Sequence, residues 1–158
     1  MDRFIRANAK GQQLKAAYLE ALRALAPRLS KRAFSLFADP REPLFDSDLV
    51  VFSAGDLLPF ATSGTRRLRT ELNVEATFRS FDLKTLHRLT YKGIKSLNFN
   101  FPAERWFDWG DCVASLLAHE LTGEQTGPMQ HAFYFVSGAT ISVTCERVSW
   151  QTKRNSQA

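Results

Sequence analysis

His131-Ala-Phe-Tyr-Phe-Val-Ser-Gly-Ala-Thr-Ile-Ser-Val-Thr-Cys-Glu-Arg-Val-Ser-Trp150 is the stretch whose reading decides the fold. Two runs of aromatic and β-branched residues flank Ser137-Gly-Ala-Thr140, the pattern of a hairpin. A Gly138-Ala139 type II′ turn predicts Ser137 opposite Thr140, with Val136 opposite Ile141, Tyr134 opposite Val143 and Ala132 opposite Cys145. Opposed residues share a face, so those six side chains would form the apolar side. The other side would carry His131, Phe133, Phe135, Ser142, Thr144 and Glu146, with His131 opposite Glu146 as a cross-strand ion pair. An isolated hairpin is marginal in water, so the apolar side must pack on further structure.

Upstream, Leu14, Tyr18, Leu22 and Leu25 recur at helical spacing and predict a helix over 12–26. Pro27 breaks or bends it, and Leu29, Ala33 and Leu36 continue the stripe in a second helix from Arg28 to about Ala38. Leu49-Val-Val-Phe52 reads as a short strand, and Leu68 to Arg79 as a long one with Leu72, Val74, Ala76 and Phe78 inward. Leu83, Leu86 and Leu89 at spacing three predict a short helix from Asp82 to about Lys92, although His87 to Tyr91 also fits a strand. Ser96 to Phe101 alternates with Leu97, Phe99 and Phe101 inward, and 111–122, whose pattern fits a helix or a strand, is read as a strand leading into the hairpin. The expectation is an α+β fold: N-terminal helices packed on a mostly antiparallel, twisted sheet that ends in a β-meander. One domain is expected over 1–158, helical to residue 38, β-rich over 48–150, with a polar tail from 151 to 158.

With 44% hydrophobic and 12% aromatic residues, the 158-residue chain is a globule rather than a disordered segment. Its charge of +5 is unevenly placed. Residues 1–100 hold 17 Lys/Arg against 10 Asp/Glu, and residues 101–158 hold 4 against 6. An anionic partner would therefore be sought on the first two-thirds. The basic residues of the helical region scatter around the wheel, which is not how a membrane-lying helix arranges them. The N-terminus lacks the apolar core of a signal peptide, and the uncharged run from Thr126 to Cys145 contains Pro128, His131 and alternating Ser and Thr, a poor membrane span. A cytoplasmic location with no membrane is expected, in keeping with two cysteines, Cys112 and Cys145, that form no disulfide framework.

Motifs of catalysis do not assemble. His119-Glu120 opens like a zinc-protease helix, but Gly123 stands where the second histidine is required. Cys112, His119, His131 and Cys145 are donors that zinc accepts, yet their spacing is not that of a finger, and the hairpin register separates Cys145 from His131. No metal or cofactor is expected. Neither a nucleophile elbow nor a phosphate-binding glycine loop occurs.

Two stretches are candidate binding sites. Arg66, Arg67 and Arg69 lie at the mouth of a strand, where guanidinium groups can grip oxyanions two-pronged. Trp106 and Trp109 lie in an aromatic cluster of the kind that anchors protein interfaces. In pattern alone, and over the last third only, the apolar strands about Ser-Gly-Ala resemble the endings of small bacterial accessory and toxin-immunity-like proteins. That resemblance implies a non-enzymatic protein that binds another protein, or a second copy of itself, by surface complementarity. An immunity protein that mimics nucleic acid would be acidic, and this chain is basic. Nucleic-acid or other polyanion binding through the basic two-thirds is the alternative. A small enzyme or ligand carrier, with His87, Tyr91 or His119 converging in a pocket, is the third reading.

Overall fold

The computed structural model describes residues 11–39, 43–56, 72–102 and 113–156. Two helices precede eight strands: α1 (Gly11–Leu25), a 3₁₀ turn at Ala26–Arg28, and α2 (Lys31–Ala38). They are followed by β1 (Asp48–Asp56), β2 (Leu72–Arg79), β3 (Thr85–Lys92), β4 (Ser96–Asn100), β5 (Leu116–Gly123), β6 (Met129–Phe135), β7 (Thr140–Cys145) and β8 (Arg147–Arg154). Pro27 sits in the 3₁₀ turn, where its missing N–H costs nothing. Ser30 then starts α2 by accepting the Ala33 N–H on its hydroxyl at 3.1 Å.

The strands form two antiparallel four-stranded sheets, ordered β1-β2-β3-β8 and β4-β7-β6-β5, so the fold is α+β as expected but with two sheets in place of one. β5, β6 and β7 make a three-stranded meander, and β8 then leaves it to pair with β3. The sheets meet at a corner. β3 passes into β4 through Gly93, and β7 passes into β8 through Glu146, whose N–H donates to the carbonyls of Lys92 and Gly93. Gly93 is required there. Its φ is +64°, and a Cβ on it would lie 2.7 Å from Glu146 Oε2. On the opposite side the gap between the sheets is bridged by the Asp46 N–H to the Leu116 carbonyl (2.9 Å) and the Leu116 N–H to the Ser47 carbonyl (2.8 Å).

Inner faces of both sheets supply the core, with Val74, Ala76, Phe78, Leu89 and Tyr91 from the first and Leu121, Phe133, Ile141, Val143 and Cys145 from the second. Tyr18, Leu22 and Leu25 of α1 and Leu36 and Phe37 of α2 join the same core. Tyr18 also covers the edge of β5, its hydroxyl accepting the Leu121 N–H at 3.3 Å.

Three expectations are corrected. The hairpin turn has three residues, Val136 to Gly138, closed by the Gly138 N–H to the Phe135 carbonyl and the Phe135 N–H to the Ala139 carbonyl. Gly138, at φ +87°, is the last loop residue rather than the first of a two-residue turn. The ladder therefore pairs Phe133 with Ile141 and His131 with Val143, a shift of three positions. An odd shift turns β6 over, so Met129, His131, Phe133 and Phe135 face the core and Glu146 is not opposite His131. Residues 82–92 are not a helix: a turn leads into β3, whose buried residues His87, Leu89 and Tyr91 repeat at two, not three. Phe99 of β4 does face inward, opposite Ile141 and edge-on to Phe52, and its 41% exposure reflects the edge position of its strand. Finally, 151–154 continue β8 where a polar tail was expected.

Candidate functional site

The polar residues that converge inside the fold are Tyr91, His131 and His119. Tyr91 on β3 reaches across the gap between the sheets, its hydroxyl 2.7 Å from His131 Nδ1 on β6. His131 Nε2 lies 3.2 Å from Nδ1 of His119 on β5. Phe37 of α2 stands edge-on to His131 at a centroid distance of 4.9 Å, and Phe133 covers the same ring at 4.1 Å. The corrected register also brings Cys145 onto the face of β7 that His131 occupies on β6. All of this is closed off: His131 and Tyr91 are 0% exposed and His119 is 2% exposed. Burial holds the Tyr91 hydroxyl well above the ordinary phenol range and pushes the Cys145 thiol up to about 12, so both stay protonated at neutral pH. A chain of polar groups sealed under aromatic rings ties β3, β6 and β5 together; it offers no path to a solute. Among the described residues no group of three or more His, Cys, Asp or Glu is placed to hold a metal ion.

His87 is apart from this chain. It stacks on Trp150 of β8 at 5.8 Å with an 8° interplanar angle, and burial lowers its pKa below the ordinary histidine value.

Among the described residues, two surface regions stand out. The first is the turn between β2 and β3. Its backbone is fixed by the Leu83 N–H to the Ser80 carbonyl (2.9 Å), the Ser80 hydroxyl to Asp82 Oδ1 (2.6 Å) and the Lys84 N–H to the same carboxylate oxygen (3.0 Å). These two donors hold the Asp82 carboxyl below its ordinary pKa range. Just after β8, Asn155 donates to the carbonyls of Leu83 (2.7 Å) and Lys84 (2.8 Å). Leu83 is held at φ +61°, a conformation non-glycine residues seldom adopt. This braced turn carries Phe81 at 77% exposure and Leu83 at 48%.

The second is the outer face of the first sheet. Ladder pairing places Glu75, Thr77 and Arg79 of β2, Leu86, Arg88, Thr90 and Lys92 of β3, and Arg147, Ser149, Gln151 and Lys153 of β8 on that side. With Asp48 of β1 opposite Arg79, five basic residues meet two carboxylates there.

Arg66, Arg67, Arg69, Trp106, Trp109 and Cys112 lie outside the described residues. Neither surface region was found from sequence. The turn was hidden inside the expected helix over 82–92. The basic face is assembled from 79–92 and 147–153, and the second of these lies in the third of the chain that is acidic overall. No helix among the described residues is long and apolar enough to cross a membrane. Compared with protein-family models, with curated proteins and with solved structures, the chain matches none.

Proposed function

We propose that this is a small non-enzymatic binding protein, accessory or immunity-like in type, that acts on another protein through the turn carrying Phe81 and Leu83. The observation that supports it is the contrast between how firmly the turn backbone is held and what it displays. A left-handed leucine and an exposed phenylalanine both work against the free protein. Held rigidly, they lose little further freedom on binding, which is what an interface anchor needs. The partner fitted to them has an apolar pocket with an acidic rim, because Lys84 lies in the turn and Arg154 pairs with Thr85, the first residue of β3. The enclosure of Tyr91, His131 and His119 supports a binding role over a catalytic one.

The test is affinity capture of the partner from the native host with the intact protein, followed by titration calorimetry with Phe81→Ala and Leu83→Ala. Phe81→Ala is expected to weaken binding by about 30-fold or more, an anchor-sized loss of about 2 kcal/mol, with an unchanged melting temperature. Equal affinity of the wild type and both variants would remove the turn from the interface. A stable homodimer that Phe81→Ala dissociates would make the partner a second copy.

A further inference from the structure

We infer that the outer face of the first sheet is a docking surface for the phosphate backbone of a double-stranded nucleic acid. The inference concerns a different surface from the β2–β3 turn and does not depend on the function proposed for it. Two of the five basic groups are neutralised within the sheet, Arg79 by Asp48 at 3.1 Å and Arg88 by Glu75. Lys92, Arg147 and Lys153 have no ion-pair partner among the described residues. Lys92 and Arg147 stand directly opposite each other in the β3–β8 ladder. Like charges in that position destabilise a sheet, so the pair works against folding and for an anion.

Shape and length agree with the charge. From Leu86 to Lys92 the face runs six residues, about 20 Å at ~3.4 Å per residue. Phosphates on one strand of a duplex recur about every 3.4 Å along its axis, so the cationic rows at the two ends reach different phosphates of one backbone. Between the ends, Thr77, Leu86, Arg88, Gln151 and Lys153 line a depression of about 220 Å³ that also touches Glu75. Its lining is mostly apolar, and the Thr77 hydroxyl, the Gln151 amide and the Lys153 ammonium are the groups there of a kind that binds phosphate oxygens. The described residues of this face include no aromatic side chain; Trp150 points to the opposite side, against His87. Single-stranded nucleic acid is held by stacking its bases on such rings, and a ring-free cationic face suits a duplex, whose bases are already stacked. Contact to phosphate alone carries no base specificity.

The experiment is fluorescence anisotropy of a labelled 20-base-pair duplex with the full chain, from 25 to 300 mM salt. Binding is expected at low salt, with log K falling against log salt at a slope of about −2.7, or about 0.9 for each of three phosphates neutralised. The variant Lys92→Gln/Arg147→Gln/Lys153→Gln, verified as folded by its unfolding midpoint, is expected to bind at least 30-fold more weakly with a slope near zero. Phe81→Ala is expected to bind the duplex as the wild type does, which separates this surface from the turn. No duplex binding at 25 mM salt, or triple-variant affinity within twofold of wild type, would overturn the inference. So would tighter binding to anionic vesicles or to a single strand than to the duplex.

Discussion

The seam between the two sheets and the outer face of the first sheet are separated by one thickness of backbone, and they handle polar groups in opposite ways. In the seam, Tyr91, His131 and His119 form a chain of hydrogen-bonding contacts under Phe37 and Phe133 with almost no access to water. On the outer face, charges are paired incompletely and two cations oppose each other. A buried polar group that loses its partner bears its full desolvation cost, whereas an exposed ion pair is largely replaced by water. The polar groups that hold this fold together are thus the hidden ones, and the visible ones contribute little to its stability.

Three measurements break or sharpen that contrast. Tyr91→Phe removes the hydroxyl at His131 Nδ1 without altering packing volume, and is expected to cost about 1–3 kcal/mol in urea unfolding. A loss below about 0.5 kcal/mol would mean that the seam does not depend on its hydrogen bonds. The second measurement concerns His87. Its folded-state pKa lies below the unfolded value, so between the two the unfolded chain binds more protons and stability rises with pH. The contribution is complete above the unfolded value of about 6.5 and is lost as pH falls toward the folded value. The unfolding midpoint should therefore drop between pH 7.5 and pH 5.5, and His87→Phe should flatten that slope; an unchanged slope would assign the dependence to other groups. Smallest of all, Arg88→Gln breaks the exposed pair with Glu75 and should shift stability by no more than about 0.5 kcal/mol.

Legibility in the sequence followed the same division. α1, the kink at Pro27, and the inward set Val74, Ala76 and Phe78 were readable because each rests on local spacing and a single buried face. The hairpin was recognised, but its register turned on whether Gly138 opened or closed the loop, and Ser-Gly-Ala permits both. That one ambiguity moved His131 from the outer face to the centre of the core. Leu83, Leu86 and Leu89 imitated a helix because Leu83 is a turn residue and Leu86 an outward one, so their spacing did not reflect one shared face. Neither the Tyr91–His131–His119 chain nor the basic face has a local signal at all, since each forms only when distant strands pair.

The pairing of β8 with β3 also bears on how the protein is made. Synthesis delivers β3 more than fifty residues before β8, and until then one edge of the first sheet has no strand beside it. That edge belongs to a strand bearing Leu89 and Tyr91, whose side chains end up fully buried. An open edge of this kind is a template for pairing with another chain, so the interval before β8 is made is the stage at which the first sheet is most open to mispairing.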